Sequence, residues 1–106
     1  MSLVSATPLP LPKDAAIFEL RAEALTVRTR ECRLPGGLVA LSLVMEGKSL
    51  PVQVPIAACL VIDKDRQGYL YHLRLSLEGL PEADRNLIGL FISKGRGSPE
   101  LKPFAR

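Results

Sequence analysis

The sequence predicts a mainly β domain, a small antiparallel β-barrel closed by one C-terminal α-helix. Three observations carry that expectation. Tyr69, Tyr71, Leu73, Leu75 and Leu77 alternate with Leu70, His72, Arg74 and Ser76, a period of two that defines a half-buried strand. The preceding apolar run Ile56–Ile62 is joined to it by DKDRQG, a charged, glycine-ended hairpin loop. A helical stripe runs through Leu80, Ala83, Leu87, Leu90 and Phe91, opened by Pro81 and followed by Gly95. At 106 residues the chain makes one domain with one modest core. A hydrophobic share of 47% beside 24% charged residues excludes a disordered chain. Proline, glycine or charge breaks every apolar run well short of the roughly 18 residues that a membrane helix needs.

The elements follow in order. Residues 1–13 read as a flexible arm. MSLVSATPLPLPK has three prolines and no basic stretch ahead of an apolar one, which argues against a signal peptide. The domain proper is expected over 14–95. In DAAIFELRAEA (14–24) the composition suits a helix capped by Asp14. The alternation of Phe18, Leu20 and Ala22 with Glu19, Arg21 and Glu23 tips the reading to strand, with helix as the alternative. LTVRTR (25–30) is a further strand, and Pro35-Gly36-Gly37 a turn. Leu38–Met45 and Leu50–Val54 form a hairpin about Glu46–Ser49, and Pro51 and Pro55 place the second strand near an edge or a bulge. The unbroken apolar run Ile56–Ile62 predicts a central strand covered on both faces. Glu82 and Asp84 complement the positive end of the helix dipole. Gly89 inside the helix costs about 1 kcal/mol relative to Ala and suggests a close approach to a neighbouring backbone.

Charge is distributed unevenly. Residues 1–93 carry ten Lys/Arg against ten Asp/Glu, and residues 94–106 carry four basic groups against one acid. The whole net charge of +3 therefore resides at the C-terminal end, and 96–106 is expected to be a solvated basic tail. A neutral body makes a basic nucleic-acid face an unfavoured reading. Cys32 and Cys59 are 27 positions apart with no CxxC and a single histidine in the chain, His72, so no zinc site is expected. They are expected to be free thiols in a reducing cytoplasm, with Cys59 as a small buried hydrophobe.

No catalytic constellation stands out. GxSxG, Walker A, GxGxxG and HExxH patterns are all missing. The pairs Asp63/Asp65 and Glu82/Asp84 sit in a hairpin loop and a first helical turn, where acids serve structure. His72 is expected to be a satisfied or surface histidine. The polar group that draws notice is arginine: Arg21, Arg28, Arg30 and Arg33 lie within thirteen residues. Arg28 and Arg30, two apart on a strand, would share a face, and guanidinium groups there would grip a phosphate in bidentate fashion or stack on a base. A solvated strand face with Glu31 as partner is the plainer reading.

The order of strand, EGK turn, apolar strand ending in CLVID, charged loop, YLYHLRLS and LEGLPEADRNLIGLFI resembles the back half of a PilZ domain, over about residues 25–93. The resemblance implies a six-stranded barrel with a C-terminal helix and a role in bacterial cyclic-di-GMP signalling. Family members that bind this dinucleotide use an RxxxR stretch in the N-terminal arm and a [DN]xSxxG stretch. No RxxxR occurs in this chain. The second motif falls either on Glu19, Arg21 and Ala24 or on Glu31, Arg33 and Gly36, and only Gly36 matches. The resemblance thus implies a non-catalytic, PilZ-like adaptor that contacts a partner protein, with cyclic-di-GMP bound weakly or not at all and no cofactor. Two alternatives are a cyclic-di-GMP receptor whose site uses Arg21, Arg28, Arg30 or Arg33, and a small β-barrel that binds nucleic acid through its basic tail.

Overall fold

The computed structural model describes residues 7–95 and 97–104. They form seven strands and one helix: β1 (Leu9–Pro10), β2 (Ala16–Leu20), β3 (Ala24–Thr29), β4 (Leu38–Met45), β5 (Lys48–Asp65), β6 (Gly68–Ser76), α1 (Glu82–Lys94) and β7 (Glu100–Pro103). The fold is mainly β with a C-terminal helix, as the patterning predicts, and the 14–24 stretch is strand over Ala16–Leu20.

The strand order is β1-β4-β5-β6-β3-β2, with β7 also on β4. The long strand β5 joins two sheets. Its first half pairs with β4, from Lys48 opposite Met45 to Pro55 opposite Leu38. Its second half pairs with β6, from Ile56 opposite Leu75 to Asp65 opposite Gly68. A register shift between Ile56 and Ala58 marks the crossing, the kind of irregularity by which a strand passes from one sheet to another. Each half is thus paired along one side only, and this is how Pro51 and Pro55, which cannot donate to a ladder, are accommodated in a strand.

Local chemistry explains the turns. The β4–β5 link is the two-residue loop Glu46-Gly47, both at positive φ (51° and 79°), the conformation that matches strand twist in a tight hairpin. Gly95 ends α1 at φ 61° and donates its N–H to Ile92, a left-handed cap. Pro81 is the N-cap rather than the first helical residue, with Glu82 and Asp84 in the first turn.

The core lies between the sheets. Leu25 and Val27 of β3, Leu41 and Leu43 of β4, Val52 and Val54 of β5, and Leu73 and Leu75 of β6 are buried together with Ile88 and Phe91 of α1. The barrel stays open: β2 and β7 approach one another across the gap, but no ladder joins them.

Five expectations need correction. Leu9–Pro10, placed in the flexible arm, runs parallel to β4 opposite Val39 and Ala40. Glu100–Pro103, placed in the solvated tail, pairs with Val44–Leu41 on the same edge of β4. Neither short segment has a pattern of its own, and the unpaired edge of a buried strand recruits both. Met1, Arg96 and Arg106 lie outside the described residues. The run Ile56–Ile62 is not covered on both faces, since Leu60, Val61 and Ile62 are 57%, 59% and 39% exposed. In α1 the buried residues are Ile88 and Phe91, while Leu87 and Leu90 are exposed. Gly89 makes no close approach: a Cβ there would meet nothing within 4 Å.

Candidate functional site

The predicted arginines share a neighbourhood in sequence but not a common grip. Arg21 closes the β2–β3 hairpin, its backbone N–H donating to the Ala24 carbonyl at 2.8 Å. Its guanidinium meets Glu19 at 3.1 Å. Arg28 projects from β3, where Arg28 pairs with His72 of β6. Its guanidinium lies over the Phe18 ring at 4.9 Å from the centroid and donates through Nε to His72 Nε2 at 3.3 Å. The His72 ring sits 4.2 Å from the Phe18 ring. Burial, and then the Arg28 charge, hold His72 below its ordinary pKa, so at neutral pH the imidazole is uncharged and can accept that bond.

Arg30 follows the end of β3 and turns toward the tip of the β5–β6 hairpin. It holds Asp65 through two parallel bonds of 2.8 and 2.6 Å, a fork-on-carboxylate geometry. The base of this reach is Asp14. Its carboxylate accepts from the buried Thr29 hydroxyl at 2.6 Å and from the Arg30 backbone N–H at 2.8 Å. Thr29, and also the Arg30 N–H, pull the Asp14 pKa below the usual carboxylate range against an opposing desolvation.

Arg33 lies in the β3–β4 link and pairs with Glu31. Its side chain is only 13% exposed, and its Nη1 is buried without a hydrogen-bond partner. Gly36 in the same link stands at φ 96° and donates to the Ile56 carbonyl at 2.9 Å. Cys32 and Cys59 are free thiols with sulfurs 3.8 Å apart. The neighbouring Cys59 sulfur raises the Cys32 pKa, which leaves Cys32 a protonated, poor nucleophile at neutral pH.

Each candidate arginine therefore answers to a different group of the chain itself. Sequence spacing missed Phe18, Asp14 and Asp65 as their partners. All three lie far from the arginines in sequence or on an adjacent strand, and only the β2–β3–β6–β5 register brings them in. Glu31 is a partner as expected, though for Arg33 rather than for Arg28 or Arg30.

A second surface lies beside α1. Leu87, Leu90 and Phe91 face Met45 and Leu50 of the β4–β5 hairpin across a groove of about 510 Å³. Lys48 and Lys94 stand at its rim, and Lys94 approaches Glu46 at 3.8 Å. The groove exists because α1 turns Ile88 and Phe91 into the core, which leaves the Leu87/Leu90 side of the helix outside.

Among the described residues no cluster of three His, Cys, Asp or Glu could hold a metal ion, and no helix is long and apolar enough to cross a membrane. Fold and surface together define a small, mainly β domain with one C-terminal helix and an open apolar groove beside it. Comparison with family models, with curated proteins and with solved structures finds no match.

Proposed function

We propose that this chain is a non-catalytic, PilZ-like module of bacterial cyclic-di-GMP signalling, working in the cytoplasm as an adaptor that seats a partner protein in the α1 groove. One contrast carries the reading. The four arginine side chains are engaged within the chain, by Glu19, Phe18 with His72, Asp65 and Glu31. The groove, in contrast, offers Leu87 and Leu90 at 44% and 58% exposure, with no element among the described residues covering them. A nucleotide phosphate would first have to displace carboxylates from Arg21, Arg30 or Arg33, whereas an apolar partner surface displaces only water. With Lys94 already near Glu46, Lys48 is the rim charge that favours a partner with an acidic group beside its apolar side chains.

The test is isothermal titration of the protein with cyclic-di-GMP, with cyclic-di-AMP and GTP as controls. The expected result is no saturable heat. Partner capture from a bacterial lysate should then fail for Leu90→Lys and persist for Arg28→Ala. Selective, saturable binding of cyclic-di-GMP at micromolar strength or tighter overturns the adaptor reading and favours a receptor. In that case the Phe18–His72–Arg28 cluster is the place to look, since Arg28 is the candidate arginine with no carboxylate on it. Arg28→Ala would then lower affinity without unfolding the domain.

A further inference from the structure

We propose that the second half of β5 is a self-association edge, along which two copies of this chain pair antiparallel about a two-fold axis near Leu60. This does not depend on the PilZ-like reading.

The backbone shows the edge to be open. Ile56 turns its N–H and C=O to Gly37 and Gly36, away from β6, so its pair with Leu75 is a non-hydrogen-bonded one. Pairs alternate along an antiparallel ladder, and β6 steps one residue at a time from Leu75 to Tyr71. The pairs Cys59–Leu73 and Val61–Tyr71 are therefore also non-hydrogen-bonded, and Cys59 and Val61 direct their backbone groups to the side away from β6. The pairing of β4 with β5 stops at Pro55, and no described strand takes those groups up.

The other open edges of the molecule carry a proline, a charge or a bulge within the strand, whereas here the register shifts at Ile56/Ala58 and Val61/Asp63 flank an unbroken stretch, Ala58–Val61. The unpaired side of the first half of β5 carries Pro51 and Pro55. β1 contains Pro10, β7 contains Lys102 and Pro103, and β2 is five residues long with a register shift. Prolines, charges, bulges and shortness are the usual means of keeping an edge from pairing. Ala57–Ile62 has neither a proline nor a charge, and Leu60, Val61 and Ile62 are exposed.

A second copy suits this edge better than an unrelated strand because its ends are complementary when antiparallel. Asp63 lies at the hairpin tip. Arg74, exposed and opposite Ala58, lies at the base. Antiparallel pairing brings the tip of each copy toward the base of the other, Asp63 toward Arg74, with the uncharged segment between. The result is one continuous sheet, β2-β3-β6-β5 followed by β5-β6-β3-β2 of the second copy. The pairing is isologous, so it closes at two and does not propagate.

Sedimentation velocity of the full chain over a concentration series tests this. The expected species is a dimer. Leu60→Lys, which sets like charges opposite each other across the axis, should raise the dissociation constant by about tenfold or more, with an unchanged circular-dichroism melt in dilute solution. Asp63→Arg and Arg74→Asp should each weaken the dimer, and the double variant should recover it. A wild type that sediments as a monomer throughout, or a Leu60→Lys protein that still dimerises like the wild type, overturns the proposal. Neither outcome bears on the nucleotide titration above.

Discussion

The two halves of β5 both carry a run of large apolar residues, and the runs have opposite fates. In the first, Val52, Val54 and Ile56 are 4%, 1% and 3% exposed. In the second, Leu60 and Val61 are more than half exposed. The difference lies in what stands on either side. The first half runs under the core with β4 beside it and Leu41, Leu43 and Leu73 packed in the same cluster. The second half continues past the end of β4 with β6 as its paired strand, and the Tyr69 end of β6 goes out with it, 47% exposed. Apolar content states what a residue would gain by burial, but the neighbouring strands decide whether burial occurs.

The largest effects test that contrast directly. Ile56→Ala should cost about 2–5 kcal/mol, through lost transfer energy and the cavity left behind. Leu60→Ala should change stability in dilute solution by no more than about 0.5 kcal/mol. Urea unfolding of the two variants side by side measures both, and equal losses would mean that the second half is covered after all.

Open space governs a second position. Gly89 stands in the middle of α1 with nothing near its absent Cβ. Gly89→Ala should therefore stabilise the protein by about 1 kcal/mol, read as a higher thermal midpoint, and a loss would reveal a close neighbour.

An effect of similar size, but dependent on pH, concerns the foot of the open half. Asp14 fixes the end of β3, from which Arg30 reaches to Asp65 at the hairpin tip. Asp14→Asn should cost about 1 kcal/mol at neutral pH. Because the folded Asp14 carboxyl titrates below its unfolded value, its contribution is full above the ordinary carboxylate range. It fades as pH falls through that range to the folded value. The urea midpoints of wild type and variant should therefore converge in acid, and a gap independent of pH would assign the loss to something other than the carboxylate.

Much of the fold is legible in the sequence where one residue pattern answers to one physical cause. The alternation marks the buried face of β6 at Leu73 and Leu75, and Leu77 just past its end, because a strand has a period of two. Gly47 marks the turn, expected over Glu46–Ser49 and formed by Glu46-Gly47 alone, and Gly95 marks the cap, because glycine takes positive φ readily. The candidate site was less legible. Arg28 draws attention by its type and spacing, but Phe18 and His72 join it only through cross-strand register, across a shift at Ile17/Glu19 that no local pattern announces.

By itself the sequence determined the class of the domain, its turns, its single helix and the strands that alternate, because these depend on local sterics and short-range periodicity. Only the tertiary structure decided which apolar residues are covered, which arginine meets which carboxylate, and that Leu9–Pro10 and Glu100–Pro103 complete the edge of β4. Those outcomes depend on partners distant in the chain, and a two- or four-residue segment has no periodicity from which its partner can be read.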